Sequence, residues 1–412
     1  MSRYSPSVRA SANALVWQPF INAVDWLRTP IRGPEILLVT GQASNAKVAA
    51  VEARLNFLFS HLGKETPEFR RARGVSMLDY LRYAGVIAVD STAVPAAITF
   101  RFVPWVADLD YETNAHDGWE LLYFGTALSG RGLEEHISSG RETFTARVRE
   151  LKAHGPRPVY LFGTGPSLQL AAERSFSDGM TVVCNTIVRD AELWHRLNPD
   201  FFTAADAIYH YGDNAHARAF RADALRRLQE SEGRTLFVYP AFADVIVRSE
   251  FRSVEQVLVP IPFSGHSDIS VDLLNRYSLP TSGNVLSSML LPLGCTLSTD
   301  IRLCGFDGRA PTDDSQPGFW SYSSRRAYPE LIQSIRDAHP AFFDVNLPKG
   351  NEFLKIDQWH GDWLDERLTD AEERGFTFRT LHPSWTATMQ ARYRPDDSDA
   401  TNRPGLPPTG SL

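Results

Sequence analysis

Small and polar residues follow the apolar run Val159–Phe162 in an order that suits ligand binding. Glycine lets a backbone turn tightly and approach a ligand closely, and proline is well tolerated in the first turn of a helix. The free N–H groups of such a turn favour an anion. Leu168 stands where a GxGxxG motif has its third glycine, so a plain strand-to-helix turn stays open. The candidate binding residues of this turn are Gly163, Thr164, Gly165, Pro166 and Ser167.

Polar residues follow later apolar runs in the same way. Asn185 comes after TVVC, Asp206 after FFTAA, and Asp307 after DIRLC. An amide can pair with a base or ribose through both a donor and an acceptor, and a carboxylate can accept from a sugar hydroxyl. Each of these residues can also simply hold a turn or cap a helix. A further candidate group, which can equally be an N-cap, is Thr281, Ser282 and Gly283.

Two kinds of side chain could carry proton transfer or phosphate binding. The hydroxyls of Tyr322 and Tyr328 can donate to a phosphate without a metal. His360 precedes a predicted helix, and its pKa near neutrality suits a general base, with His339 as a rival. The sequence indicates no metal set, because the other histidines are scattered. The pair Asp108 and Asp110 has the Asp-x-Asp spacing of some sugar transferases, but it lies in a poorly defined region.

Short apolar runs alternate with helical stretches from Val159 onward, which predicts an α/β, Rossmann-like, mostly parallel sheet with helices on both faces. Ligands bind beyond the carboxyl ends of such strands. We expect an accessory α/β region over 1–155, a nucleotide-sugar-binding domain over 156–393 and a disordered tail over 394–412. In the accessory region the predicted strands are Ile36–Thr40 and Val86–Val89, the predicted helices are Ala49–Leu62 and Leu133–His154, and 95–125 carries β-type runs, AAITFRFV and ELLYF.

Composition limits the classes of protein that fit. The 412 residues carry a formal net charge of −7, which argues against a nucleic-acid coat because phosphate neutralisation needs a basic face. Three separated cysteines in apolar runs suit a reducing compartment. The sequence contains no run of about 18 apolar residues, so we expect no membrane-spanning helix. We therefore expect a cytoplasmic protein; contact with the inner face of the membrane and a homo-oligomer stay open.

Taken in order, these segments resemble the bacterial sialyltransferases of glycosyltransferase family 42. They also resemble the motility-associated flagellin glycosyltransferases and the archaeal hydroxymethylpterin pyrophosphokinases. The resemblance covers about 157–390 and rests on the segments LFGTGPSL, VVCNTIVRD, PTSGNVLSSMLLPLG, DIRLCGFDGR and WHGDWLDERL. It implies a modified GT-A-like fold and a bacterial enzyme of polysaccharide biosynthesis that uses a CMP-sugar, with a glycan or protein as acceptor.

The resemblance also implies roles for individual positions. The glycine turn and Asn185 would contact the cytidine monophosphate of the donor, and the Thr281–Gly283 segment would reach toward its cytosine ring. Tyr322, and less directly Tyr328, would hold the phosphate, and His360 would be the base. The expected reaction is a metal-independent inverting transfer of a nonulosonic or other 3-deoxy sugar, without a cofactor.

Two other functions stay open. A diphosphotransferase of the pterin kinase type would need ATP and Mg²⁺, for which Asp206 and Asp307 are the available carboxylates. A nucleotide-binding protein without catalysis would have the same fold, since one sheet hosts many chemistries.

Overall fold

The structure is a computed structural model that describes residues 33–76, 78–94, 105–264, 266, 268–280, 284–308, 328–346 and 352–394. For 345–346 and 352–360 it describes the backbone only.

The first sheet has four parallel strands in the order β2-β1-β3-β4. Strands β1 and β3 are fully buried apolar runs, as expected for strands covered on both faces. The predicted strands at 36–40 and 86–89 are thereby confirmed. The four strands are β1 (Ile36–Val39), β2 (Phe69–Ala72), β3 (Gly85–Ala88) and β4 (Val106–Asp108).

Three helices accompany this sheet. In α1 the buried residues Val48, Val51, Leu55 and Leu58 recur at helical spacing, and Ser44 caps the first turn by accepting from the Lys47 N–H. This confirms the helix predicted over 49–62 and extends it toward the N-terminus. The helices are α1 (Asn45–Leu62), α2 (Asp79–Arg82) and α3 (Asp117–Ser129).

The second sheet has seven strands in the order β13-β12-β5-β6-β7-β8-β9, and every pair is parallel. The predicted parallel α/β architecture is thereby confirmed. The strands are β5 (Val159–Phe162), β6 (Met180–Cys184), β7 (Phe201–Thr203), β8 (Leu236–Pro240), β9 (Leu258–Ile261), β12 (Asp300–Cys304) and β13 (Thr377–Thr380). A separate parallel pair joins β10 (Phe263–Ser264) to β11 (Leu279–Pro280).

Helices connect these strands. A 3₁₀ helix, Pro166–Ala172, follows β5, and a π-helical turn, Leu286–Leu290, leads into α9. The α-helices are α4 (Arg131–Ala153), α5 (Ala191–Leu197), α6 (Ala207–His210), α7 (Ala215–Glu230), α8 (Asp244–Glu250), α9 (Leu291–Leu297), α10 (Ile332–Ala338), α11 (Pro340–Asn346), α12 (Glu352–Glu372) and α13 (Ala387–Ala391).

The strand order reverses at β5. From β5 the chain proceeds to β6 through β9 on one side, and it returns to β12 and β13 on the other. With right-handed crossovers, this reversal puts connecting helices on both faces. In sheets of this kind such a reversal point is where a ligand crevice forms, here the gap beyond the carboxyl ends of β5 and β12. We call this gap the switch crevice.

One hydrophobic core runs through both sheets. It contains Leu38 of the first sheet and Leu161 of the second, each without exposed area. Helix α4 belongs to the predicted accessory region, yet its Gly140 packs directly on β9 of the second sheet. The domain boundary at 155/156 stays a prediction.

One predicted element is wrong. The run ELLYF, interpreted as β-type, lies inside helix α3. Its residues Leu121, Leu122 and Phe124 are buried, and the helix packs against α1 and β4, so tertiary packing overrides the strand propensity of the run. The other run, AAITFRFV, and the predicted tail beyond Arg394 lie outside the described residues.

A glycine substitution tests the packing of α4 on the second sheet. A Cβ at Gly140 would lie 2.8 Å from Pro260 Cδ and 3.3 Å from Val259 Cα. We expect Gly140→Ala to lower the free energy of unfolding by roughly 1–3 kcal/mol through overpacking, although alanine favours helices. Urea denaturation measures this change.

Gly132→Ala in the same helix is the matched control. A Cβ there would meet only the flexible Arg248 guanidinium, at ordinary distances of 3.6 Å to Nη1 and 3.7 Å to Nη2. We expect this variant to be neutral or stabilised by up to about 1 kcal/mol. Equal stability changes for the two alanines would contradict the close contact between α4 and β9.

Candidate functional site

Two glycines bring the loops after β5 and β12 into contact at the switch crevice. Gly163 N–H donates to Cys304 O at 2.8 Å, and Gly165 N–H donates to Gly305 O at 2.9 Å. Gly305 has a φ of 83°, and a Cβ on it would overlap the Gly163 carbonyl. Only glycine satisfies both the conformation and the spacing at this point.

Asp307 then closes the two loops on each other. Its carboxylate accepts from the Ser167 N–H at 3.0 Å and from Ser167 Oγ at 2.9 Å. Ser167 is in the first turn of the 3₁₀ helix that the sequence predicted to receive an anion. The anion at this helix start is therefore a carboxylate of the protein, and Asp307 holds the loop. Its side chain keeps 18% of its area exposed, which leaves it accessible to a ligand hydroxyl.

His382, which was not among the predicted site residues, supports this pair of loops. Its Nε2 accepts from the N–H groups of Gly305 and Phe306, at 3.1 and 3.2 Å. Its Nδ1 lies 2.8 Å from Pro383 O, so Nδ1 carries the proton and the ring is neutral. His382 lies just beyond the end of β13, so the strand-end rule that selected Asn185 would also have selected it.

Asn185 lies at the carboxyl end of β6, next to β5. It has a φ of 52°, which is unusual for a residue other than glycine. Its Oδ1 is buried and accepts no hydrogen bond in the described part of the chain. A buried, unpaired amide oxygen is costly unless a ligand supplies the donor. Asn185 is therefore the predicted residue whose geometry most directly indicates a missing partner.

Asp206 follows β7 at the same edge of the sheet, but its contacts are local. One carboxylate oxygen accepts from the N–H groups of Ile208 and Tyr209, both at 3.0 Å, which caps α6. Burial raises the pKa of Asp206 to about 6, against the lowering effect of these N–H donors. The capping alternative therefore accounts for Asp206.

Tyr328 is also engaged within the protein. Its hydroxyl donates to Asp223 Oδ2 at 2.7 Å, its ring faces the Arg189 guanidinium, and only 3% of the residue is exposed. Burial raises the pKa of this phenol well above its usual range. The Tyr328 hydroxyl, which the sequence predicted to donate to a phosphate, donates to Asp223 in this structure.

His360 lies inside α12 rather than before a helix, which corrects the sequence prediction. The sequence predicts the start of this helix at Asp362, whereas α12 begins further upstream, at Glu352. Its neighbour Gly361 faces Thr386, since a Cβ there would lie 3.9 Å from Thr386 Cγ2. Thr386 in turn packs on Gly308, directly after Asp307. The backbone at His360 thus runs close to the β12 loop.

The rival histidine, His339, contacts helices of the first sheet. Its Nδ1 lies 2.8 Å from Asp117 Oδ2, and Asp117 also pairs with Arg54. Burial lowers the pKa of His339, although the Asp117 charge opposes this effect. This buried cluster joins α1, α3 and the segment between α10 and α11. None of these contacts involves a residue of the switch crevice.

The structure thus brings the glycine turn, Asn185, Asp206 and Asp307 to one edge of the sheet, while Tyr328 packs against α7. The predicted residues Tyr322, Thr281, Ser282 and Gly283 lie outside the described residues. The pair Asp108 and Asp110 ends β4 of the first sheet, where Asp110 pairs with Lys47. Burial raises the pKa of Asp108 to about 6.

Within the described ranges, no group of three or more histidine, cysteine, aspartate or glutamate side chains could hold a metal ion. No helix in the same ranges is long and apolar enough to cross a membrane. Comparison of the chain with known family models, curated proteins and solved structures found no match.

The pH dependence of stability tests the role of His382. Burial lowers the pKa of His382 below its usual value. The unfolded chain therefore binds the proton first, so the stability contributed by neutral His382 is present above about pH 6.5 and is lost as the pH falls. We expect wild-type protein to lose more thermal stability between pH 7.5 and 5.5 than His382→Gln, which keeps an acceptor that does not titrate.

Thermal melts at these two pH values measure the difference. His154→Gln, at an exposed histidine, is the control and should keep the wild-type pH response. The buried His210, His216 and His339 also have lowered pKa values and remain in both variants. An unchanged pH response in His382→Gln would show that His382 does not act as the neutral acceptor.

Proposed function

We propose that the switch crevice binds the nucleotide of a CMP-sugar, and that the chain is a metal-independent inverting glycosyltransferase for a sialic-acid-like, nonulosonic or 3-deoxy sugar. The observation that carries nucleotide binding is the buried, unpaired Oδ1 of Asn185 beside the glycine turn. The choice of CMP and of the sugar rests on the sequence resemblance, as does the modified GT-A-like fold.

The electrostatics of the crevice favour one orientation of the nucleotide. The Ser167 N–H is already paired with Asp307, and the partly exposed Asp307 carboxylate would repel a phosphate. The same carboxylate can accept hydrogen bonds from ribose hydroxyls. The nucleoside would therefore lie between Asn185 and Asp307, and the phosphate would point away from Ser167.

The proposed chemistry is a single displacement. An acceptor hydroxyl of a glycan or protein attacks the anomeric carbon as the bond from that carbon to the phosphate oxygen breaks. The electron pair of this bond leaves with CMP, and oxocarbenium character develops on the sugar. His360 would take the proton of the attacking hydroxyl. Attack on the face opposite the departing CMP would give inversion. The proposal includes a cytoplasmic location, either free in the cytoplasm or at the inner face of the membrane.

The diphosphotransferase alternative makes different use of Asp206 and Asp307, which would have to bind Mg²⁺. Asp206 already accepts from the first turn of its own helix, and Asp307 already accepts from Ser167 in the loop after β5. A thermal-shift panel of CMP, CDP, UDP, GDP and ATP, each with and without Mg²⁺, separates the functions. Stabilisation by CMP alone supports the transferase, a Mg²⁺-dependent response to ATP supports the diphosphotransferase, and no response to any nucleotide contradicts nucleotide binding.

Asn185 provides the sharpest variant for this panel. We expect Asn185→Ala to remove most of the CMP-induced shift, because the ligand loses its hydrogen-bond partner, worth about 0.5–1.5 kcal/mol or more. Asn198→Ala is the matched control: Asn198 also has a positive φ, of 47°, but it ends α5 at the opposite edge of the sheet. Both alanines should lower the melting temperature without ligand, whereas only Asn185→Ala should lose the response to CMP.

His360→Ala tests the proposed base. We expect transfer from a CMP-sialic acid donor to fall by roughly 10²–10⁴-fold, the usual contribution of general-base catalysis, while the thermal shift with CMP stays unchanged. His154→Ala, at an exposed histidine, should leave turnover unchanged. Near-normal turnover in His360→Ala would remove this residue from the mechanism.

A further inference from the structure

One large aromatic side chain stands exposed beside the switch crevice. The exposed large apolar residues of the described chain are Leu78, Tyr123, Leu170 and Trp385, and half of the Trp385 surface is accessible. Single exposed apolar residues are common and need no explanation by themselves. Trp385 differs because its backbone N–H donates to Asp307 O at 2.7 Å. It is therefore fixed to the loop that closes the crevice.

The segment that carries Trp385 is held rigidly. Ser384 Oγ donates to the carbonyls of Phe306 and Asp307, at 2.8 and 3.0 Å, and Trp385 is followed by Thr386, which packs on Gly308. Gly308 has a φ of 67°, and a Cβ there would overlap Thr386. The backbone that carries the exposed indole is therefore fixed, and a fixed backbone lowers the entropy cost of binding a ligand at this residue.

The polar groups around the indole suit a sugar. Thr386 is the next residue in the chain and is half-buried, and Asp307 keeps part of its carboxylate exposed. A hydroxyl and a carboxylate beside an aromatic face match the hydroxyls and the apolar face of a pyranose ring. The negative charge of Asp307 favours a neutral sugar over an anionic one.

The position of Trp385 favours contact with the acceptor sugar rather than with the donor nucleotide. Asn185 follows β6 on one flank of the crevice, whereas Trp385 follows β13 on the other. The next residue, Thr386, faces Gly361, the neighbour of the proposed base. An acceptor hydroxyl has to approach this base. We propose that Trp385 is the stacking platform for the neutral sugar ring of the acceptor, a specificity role that rests on the proposed transferase function.

Saturation-transfer NMR tests this platform on the full chain, with methyl β-galactoside, methyl β-glucoside, lactose and maltose as probes. We expect ring protons of at least one probe to receive saturation from the wild-type protein. In Trp385→Ala the signal should be lost or the sugar should bind about tenfold more weakly, whereas Trp385→Phe should keep part of it. Tyr123→Ala, which removes another exposed aromatic, should behave like wild type.

The nucleotide separates the failure of this inference from the failure of the proposed function. The CMP thermal shift should be the same in Trp385→Ala and wild type, and with CMP-sialic acid the variant should raise the acceptor KM but not the donor KM. Normal CMP binding with no Trp385-dependent sugar signal overturns the platform and leaves the transferase in place. Loss of CMP binding in Trp385→Ala would mean that the indole stacks on the cytosine of the nucleotide. That result would also overturn the platform.

Contact with a membrane is the other way to use an exposed tryptophan. Co-sedimentation with phosphatidylcholine vesicles that Trp385→Ala abolishes, together with no sugar signal, would replace the platform with a lipid contact.

Discussion

The contact between Asp307 and Ser167 is the constraint on which the candidate site depends. It joins the loops that follow β5 and β12, two neighbouring parallel strands whose connections run in opposite directions along the sheet. Without this contact, free loops would line the crevice. The contact requires glycine at 163 and 305, since any side chain there would separate the strand ends. It also decides the electrostatics, because the first helical N–H after β5 faces a carboxylate of the protein rather than an open anion site.

The same construction occurs in the first sheet, which has its own reversal of strand order at β1. Gly41 has a φ of 50°, and a Cβ there would overlap the carboxylate of Asp90, which follows the neighbouring strand β3. Asp90 accepts the Gln42 N–H at 2.8 Å, as Asp307 accepts the Ser167 N–H. Two sheets in one chain thus solve the same problem, the closure of a strand-order reversal, with an aspartate pressed against a glycine turn.

The parallel sheet and its strand ends could be predicted because buried strands are short apolar runs, and because the carboxyl edge collects whatever follows them. Asn185 and Asp307 were found by this rule, and His382 fits it. The rule could not show which hydrogen-bond partners these side chains have in the folded protein. Tyr328 donates to Asp223, which lies far away in the sequence. Asp206 caps a helix through local N–H groups, and the residue types alone did not separate this role from ligand binding. The start of α12 and the helical state of ELLYF were missed because local propensity does not record the packing that decides them.

The continuous core has a consequence for how the chain behaves as a whole. Side chains of β1 and β5 belong to one buried cluster, and α4 and the Arg54–Asp117–His339 cluster tie the two halves together. Neither sheet could be released without exposing apolar surface of the other. Loss of structure in this protein should accordingly be one cooperative event, and cutting the chain between the sheets should leave two fragments that aggregate rather than two folded modules.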